Sequence, residues 1–114
     1  MGAVRSLTSS EDFRRVRERG SRARRDGLTV FVARAPSAGQ GTRVGITVPG
    51  AVGSAVTRNR LRRRLRAALE RMDMRGGQDV VVRADGGAAE ATFHQLEEDL
   101  RMALSRADQG LRDG

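Results

Sequence analysis

Residues 43–69 read RVGITVPGAVGSAVTRNRLRRRLRAAL, and the segment DVVVRA follows at 79–84. β-Branched residues over 42–48, closed by Pro49, predict a strand, and the valine run at 79–84 predicts a second strand buried on both faces. Residues 54–73 are predicted to form a helix with one apolar stripe, made of Leu61, Leu65, Ala68, Leu69 and Met72. Strand, helix and strand in this order form a βαβ unit, so the two strands are expected to lie parallel in one sheet.

Outside this unit the chain predicts two more helices and further strands. The helices are placed over 9–19 and 92–107, a strand over 28–35, and the basic segment 21–27 is consistent with a short edge strand. Serine and acidic residues begin the first helix, and a Thr-x-x-Gln capping box begins the last. The tail, 108–114, is expected to be frayed. The order αβββαβα predicts a single α+β domain over the whole chain, with helices packed on one side of a small sheet and the other face partly free.

Charge is distributed unevenly along the chain. Arginine supplies all 22 basic residues, and the formal net charge is +8. Residues 1–66 hold 16 arginines and 4 acids, a net charge of +12, whereas residues 67–114 hold 6 arginines and 10 acids, a net charge of −4. This asymmetry predicts a polyanionic partner, and nucleic acid is favoured. A membrane surface is disfavoured because no helix pairs an arginine-rich face with exposed aromatic residues.

Several absences narrow the class of protein. The sequence has no cysteine, so disulfides and thiolate metal sites are excluded. No apolar run approaches the roughly 20 residues of a membrane span, and the first residues lack the apolar region of a secretory signal. A cytoplasmic protein is therefore expected.

The arginine-rich run AVTRNRLRRRLR at 55–66 contains no acidic residue. A solvated helix face normally mixes the signs of its charges, because like charges close together repel. A face of one sign therefore favours binding of a polyanion, and the planar guanidinium can bond two phosphate oxygens. Asn59 adds a neutral donor and acceptor suited to a base edge or a 2′-hydroxyl. Structured RNA is favoured over DNA, since no zinc-finger spacing, heptad zipper or evident helix-turn-helix accompanies the run.

Aromatic residues leave two alternatives open, and no active site emerges. Phe13, followed by arginines, and Phe31, within a strand, fit either a base-stacking platform or the core, whereas Phe93 lies on a helical core stripe. His94 is the single histidine and is expected to be exposed. No metal-ligand string or Ser-His-Asp set can be assembled, so neither catalytic nor metal-binding residues are assigned, and a stand-alone nuclease is the disfavoured reading.

At residues 43–69 the chain resembles the protein subunit of bacterial ribonuclease P. The family pattern is a strand with a Gly-hydrophobic-Ser/Thr-Val run, then Val-Gly-x-Ala-Val-x-Arg-Asn-Arg and a basic helix. Its matches here are Gly45 to Val48, Val52, Gly53, Ala55, Val56, Arg58, Asn59 and Arg60. The segment EDFRRVRERG at 11–20 is similar to the family's first helix, and the strand at 28–35 and the helix from Thr92 also fit in order and spacing.

The resemblance implies an α/β sandwich similar to the ribosomal protein S5 domain 2-like fold. It also implies a tRNA 5′-endonuclease, a ribonucleoprotein hydrolase in which the RNA subunit is the catalyst and holds most of the Mg²⁺. The protein subunit would bind no cofactor tightly and would be non-catalytic alone. Its partners would be ribonuclease P RNA and precursor tRNA, with neither DNA nor membrane. The alternative is a structural RNA-binding ribosomal or ribosome-assembly protein.

Site residues carry over from the family position by position. The residues implied to contact the catalytic RNA are Arg58, Asn59, Arg60, Arg62, Arg63 and Arg66, and those implied to line the cleft for the precursor-tRNA leader are Phe13, Arg17 and Phe31. Two departures stand out. Residues 49–51, Pro-Gly-Ala, replace a basic pair common in the family, and Arg17 stands where many members carry a second aromatic residue of the first helix.

Overall fold

The computed structural model describes residues 5–36, 41–72, 74 and 76–113. Within these ranges, five strands form one sheet and four α-helices pack on it, which confirms the α+β class. The elements are β1 (Arg5–Ser6), α1 (Ser10–Arg19), β2 (Ser21–Arg25), β3 (Leu28–Arg34), β4 (Arg43–Thr47), a 3-10 turn (Gly50–Val52), α2 (Ala55–Glu70), β5 (Gln78–Ala84), α3 (Gly86–Ala89) and α4 (Phe93–Asp113).

The strand order across the sheet is β1-β4-β5-β3-β2. β4 and β5 are parallel neighbours joined through α2, as the βαβ pattern predicts. The basic segment after α1 forms β2, which pairs antiparallel with β3 at one edge. At the other edge, β1 is only two residues long and pairs parallel with the start of β4. Among the described residues, no strand therefore lies beside the remainder of β4 on that side.

The prediction of helices on one side only is wrong: α1 packs on the second face of the sheet, and each face carries its own apolar cluster. The larger cluster joins alternate residues of β3, β4 and β5 to α2 and α4, and it contains the predicted stripe residues Leu61, Leu65, Ala68 and Leu69. The smaller cluster lies under α1 and contains Leu7, Val16, Phe31, Ala33 and Val81. Because side chains alternate across a strand, the valine run of β5 contributes to both clusters, as predicted for a strand buried on both faces.

The predicted N-terminal caps of the helices are confirmed, whereas the predicted C-terminal ends of two helices differ from the structure. The Ser54 hydroxyl accepts from the Thr57 N–H at 3.2 Å, and Thr92 and Gln95 form the predicted capping box. α2 ends at Glu70, three residues before the predicted end. α4 continues to Asp113, so the prediction of a frayed tail from residue 108 is wrong over the described part of that tail.

The extension of α4 has a physical cause that local sequence does not reveal. Leu111 packs against the larger core cluster, which gives the last turn an apolar anchor. The carboxylate of Asp108 accepts from Gln78 in β5 and pairs with Arg112 at 3.3 Å. These contacts with the body of the protein stabilise turns that a glycine-containing sequence would otherwise leave frayed.

Candidate nucleic-acid interface

α2 presents its arginines away from the core, and the sequence of its first three turns contains no acid. Asn59, Arg60 and Arg63 are exposed, whereas Arg58, Arg62 and Arg66 are partly buried along the sides of the helix. Within the described part of the chain, the first salt bridge that α2 makes along its own length joins Arg66 to Glu70 at 3.8 Å. The positive charge of the first three turns is therefore available to a ligand outside the protein.

Two polar contacts order the start of this basic face. The Arg58 Nε donates to the carbonyl of Gly53 at 3.2 Å, which ties the side chain to the turn before the helix. The Arg62 Nη1 donates to the Asn59 Oδ1 at 2.9 Å. Since the Asn59 carbonyl oxygen is occupied in this way, its amide nitrogen is presented outward as a donor.

A cleft of about 300 Å³ opens where β4 passes between α1 and α2. We call it the β4-edge cleft, and its principal lining residues are Leu7, Phe13, Ile46, Arg62, Arg63 and Arg66. Phe13 and Leu7 supply an apolar wall, and the three arginines of α2 supply a positive wall. The cleft thus brings residues of the predicted RNA-binding helix next to a residue of the predicted leader cleft.

A second depression of about 310 Å³ continues along α1 and is lined by Thr8, Ser10, Phe13, Arg17 and Thr47. We call it the α1 groove. Phe13 lines both depressions, so they are contiguous at its ring. Of the three residues predicted for the leader cleft, Phe13 and Arg17 come together here.

Phe31 lies elsewhere. Its side chain is 8 % exposed and belongs to the cluster beneath α1 with Val16 and Val81. The sequence left Phe31 open between cleft and core, and the family resemblance implied the cleft. The structure places it in the core instead, because β3 turns position 31 to the face that α1 covers.

Gly45 determines how Phe13 sits on the sheet. A Cβ atom at this position would overlap three atoms of the Phe13 ring. The missing side chain therefore lets the ring lie directly on the backbone of β4. Phe13 remains partly exposed in this position, which suits a residue that faces a ligand as well as the core.

A buried carboxylate fastens α1 to the sheet, and sequence reasoning missed it. Asp79, at the start of β5, has no solvent exposure; it accepts two hydrogen bonds from Arg43, at 2.9 and 2.7 Å, and a further one from Arg15. Burial acts to raise the pKa of the Asp79 carboxyl, but the hydrogen bonds from Arg43 and Arg15 outweigh it and hold that pKa below its usual value. Asp12 joins the cluster by pairing with both arginines. The signal available in the sequence was a lone acid before a buried valine run.

Arg83 is a second residue that the sequence reasoning passed over. Register places Thr47, Arg83, Thr29 and Arg24 side by side across four strands. Arg24 pairs with Asp85 at 2.7 Å, whereas Arg83 is exposed and forms no salt bridge among the described residues. Thr47 lines the α1 groove, so Arg83 extends the positive surface beside it. The alternation of side-chain direction along β5 could have identified Arg83, since the odd-numbered residues of this strand face α1.

Further features of the described ranges concern His94, metal ligands, membrane spans and the segment 49–51. His94 is exposed, as predicted, with its Nε2 3.8 Å from a Glu98 oxygen. In these ranges, no three histidine, aspartate or glutamate residues are grouped so that they could hold a metal ion. None of the helices described is both long and apolar enough to cross a membrane. The segment 49–51, which lacks the basic pair of the family pattern, leads into the 3-10 turn before α2.

These features define a class, that of small basic α+β domains that present one arginine-rich helix at their surface. Within it, a protein-family model described as Ribonuclease P matches residues 1–108. The chain therefore belongs to the ribonuclease P protein family. It is a subunit of ribonuclease P, a ribonucleoprotein of tRNA processing.

Individual proteins agree with this assignment. A ribonuclease P protein component from Beutenbergia cavernae is 42% identical over 105 residues, which are 90% of this chain and 87% of the relative. One from Mycobacterium sp. (strain KMS) is 37% identical over 103 residues, 89% of this chain and 87% of the relative.

Solved structures share the fold. The RNase P protein of Staphylococcus aureus superposes with a TM-score of 0.80 at 24% identity, covering 90% of this chain and 94% of the other. That of Thermotoga maritima superposes with a TM-score of 0.77 at 24% identity, covering 89% and 96%.

Proposed function

We propose that this chain binds the catalytic RNA of ribonuclease P through α2 and binds the 5′ leader of precursor tRNA along α1. In this way it assists endonucleolytic removal of the leader and formation of the mature tRNA 5′ end. The RNA subunit is the catalyst in this proposal, and the protein alone is inactive. The observation that carries the proposal is the contiguity of a basic helix face, whose first three turns contain no acid, and a cleft lined by a partly exposed aromatic ring.

The basic face of α2 suits a folded RNA. Arg60 and Arg63 are exposed and have no carboxylate partner among the described residues, so phosphate binding would relieve their mutual repulsion. The outward amide of Asn59 can donate to a phosphate oxygen, a 2′-hydroxyl or a base acceptor. These contacts read backbone and shape, which fits a structured RNA partner.

The α1 groove suits a single strand. The Phe13 ring offers an apolar surface for a base, and Arg17 lies on the same side of α1 for a phosphate or a second base. Arg83 lies in register beside Thr47 at the margin of the groove and adds a further cation. Phe31 contributes from beneath, as part of the core that supports α1.

Mg²⁺ in the enzyme is assigned to the RNA subunit, with no tight site in this chain. The buried Asp79 has its oxygens engaged by Arg15 and Arg43, which leaves it unsuited to an ion. When bound to the RNA, Mg²⁺ would supply the activation of water that the reaction requires. The residues of this chain bind and orient the two RNAs. The proposed partners are ribonuclease P RNA and precursor tRNA in the cytoplasm, with neither DNA nor a membrane.

One assay tests these assignments together. Precursor-tRNA cleavage is measured at low Mg²⁺ with the protein alone, with the RNA subunit alone and with both. Cleavage that requires both components is expected. Failure of the protein to rescue the RNA subunit would contradict the proposal and favour a structural role in ribosomes or their assembly, and cleavage by the protein alone would contradict an RNA catalyst.

A further inference from the structure

The outer edge of β4 is open where β1 ends. Hydrogen bonds from the Arg5 N–H to the Thr42 carbonyl (3.4 Å) and from the Leu7 N–H to the Val44 carbonyl (2.8 Å) join the two segments. Even-numbered residues of β4 therefore turn their backbone groups toward this edge. Ile46 is the next such residue, and by that point the chain has left the edge to begin α1.

Ile46 consequently carries an unused backbone donor and acceptor. Parallel pairing with β5 uses the odd-numbered residues of β4, since neighbouring residues of a strand point their N–H and C=O groups to opposite sides. Among the described residues, nothing outside the sheet ladder bonds to the N–H or C=O of Ile46. Ile46 is partly buried and lines the β4-edge cleft, so both groups lie at that open cleft.

The walls of this space differ in chemistry. Phe13 and Leu7 are apolar and lie on the side of α1, whereas Arg62 and Arg63 are cationic and lie on the side of α2. An apolar wall, a backbone donor and acceptor, and a cationic wall together match the ring face of a base, its hydrogen-bonding edge and a phosphate. The volume of about 300 Å³ is at the small end of ligand pockets.

We propose that the β4-edge cleft binds one unpaired nucleotide of the precursor-tRNA leader, an inference that rests on the proposed function. The Watson–Crick edge of the base bonds to the N–H and C=O of Ile46, its ring lies against Phe13, and its phosphate lies on Arg62. Every base has an adjacent donor and acceptor on that edge, and only an unpaired base exposes them. The site therefore selects single-stranded RNA without fixing which base it takes.

An added peptide strand could use the same backbone groups. The arginine wall favours the nucleotide, because a polyanion neutralises it and most extended peptides do not. The shared ring of Phe13 also joins the cleft to the α1 groove. A leader strand lying in that groove would reach the cleft without leaving the protein surface, and would then arrive at α2 beside the catalytic RNA.

The test uses the holoenzyme, assembled from the full chain and the RNA subunit, and precursor tRNAs with a single abasic nucleotide at successive leader positions. One position is expected to weaken binding roughly tenfold, because a base contact of this kind is lost. An N1-methyl or N3-methyl base at the same position, which blocks the Watson–Crick edge, is expected to cost roughly two- to tenfold, the effect of losing one or two hydrogen bonds. Both measurements use the wild-type protein.

A proline variant then tests whether Ile46 binds the base at the leader position that the abasic scan identifies. Ile46→Pro removes an N–H that faces the cleft rather than the ladder, a placement in which an edge strand tolerates proline. With this variant the abasic nucleotide should cause little further loss, whereas in the wild-type holoenzyme it costs roughly tenfold. An abasic effect that persists unchanged in folded Ile46→Pro holoenzyme would overturn the assignment.

Other outcomes separate this inference from the function on which it rests. If leader-bearing RNA binds better than leaderless RNA but the abasic scan is flat, the nucleotide site is wrong and leader binding stands. If the leader has no effect at all, the proposed function itself fails. A flat scan together with competition by an extended acidic peptide would assign the edge of β4 to strand addition instead.

Discussion

At the scale of single residues, the arginines of this chain divide into those that hold the fold together and those that face outward. Arg15 and Arg43 are bound by the buried Asp79 and fasten α1 to the sheet. Arg60 and Arg63 have no such partner among the described residues and remain exposed. Composition alone cannot separate the two groups, because both consist of the same residue type in the basic half of the chain.

Arg63→Ala should weaken binding of the catalytic RNA and make it less dependent on salt. Each lost phosphate contact reduces the slope of log K against log[salt] by roughly 1. Binding is measured over a series of salt concentrations. Arg106→Ala, which removes an exposed arginine from α4, is the matched control and should leave the slope unchanged. An unaltered slope for Arg63→Ala would contradict a phosphate contact.

Asp79→Asn should reduce the free energy of unfolding by about 3 kcal/mol at neutral pH, because it leaves Arg15 and Arg43 without their buried partner. The pKa of Asp79 is lowered in the folded state, so its contribution is present above the unfolded pKa of about 3.9 and is lost as pH falls through the folded pKa. Denaturant unfolding between neutral pH and pH 3 is the measurement. The wild type should lose stability below about pH 4 more steeply than the variant; parallel curves would exclude this linkage.

Phe31→Ala should act on stability rather than on leader recognition. Phe31 is 8 % exposed in the cluster beneath α1, and removing such a ring costs about 3–5 kcal/mol. Unfolding measurements should show this loss, whereas Phe13→Ala should cost less stability and reduce the preference for leader-bearing RNA. A stable Phe31→Ala protein that has lost only leader preference would return Phe31 to the cleft.

At the scale of secondary-structure elements, α1 is positioned by contacts at two points. One is the ion-pair cluster of Asp79, and the other is the ring of Phe13 lying on Gly45. Because the α1 groove and the β4-edge cleft both include Phe13, the seating of α1 determines the shape of both.

Gly45→Ala should displace the Phe13 ring and destabilise the protein by about 1–3 kcal/mol, the usual cost of overpacking. The same substitution in a Phe13→Ala background should cost much less, since the ring that the new methyl group meets is absent. A double-mutant cycle on unfolding free energies measures this coupling, expected at about 0.5–3 kcal/mol. If the unfolding free-energy changes of the two substitutions were additive, contacts other than Phe13 with Gly45 would determine the position of α1.

The elements also show how far the sequence could predict this protein. The βαβ unit, the apolar stripe of α2 and the helix caps follow from local periodicity and capping residues, and all are confirmed. β1 has two residues and no local pattern, so only pairing with β4 reveals it. The partners of Asp79 are 64 and 36 positions away. Alternation assigned Phe31 to one face of β3, but it could not tell that α1 covers that face.

At the scale of the whole molecule, the charge of +8 and the ordered basic face make different contributions to RNA binding. Net charge persists when the chain unfolds, so a flexible polyanion can bind the folded and unfolded states alike. The arrangement of α2 beside the β4-edge cleft exists only in the folded state. A structured RNA that uses this arrangement must therefore bind the native protein in preference.

This difference predicts that ribonuclease P RNA raises the melting temperature of the protein and that heparin raises it less. A ligand specific for the native state stabilises it by about 2.7 kcal/mol when its free concentration is 100 times its dissociation constant. The shift should shrink with added salt as phosphate contacts weaken. Thermal unfolding is followed by the fluorescence of a dye attached to the protein, with RNA and heparin added at the same total charge. The Arg63→Ala variant is expected to show a smaller shift in melting temperature with the RNA. Equal shifts from RNA and heparin would mean that net charge, and not the folded face of α2, governs RNA binding.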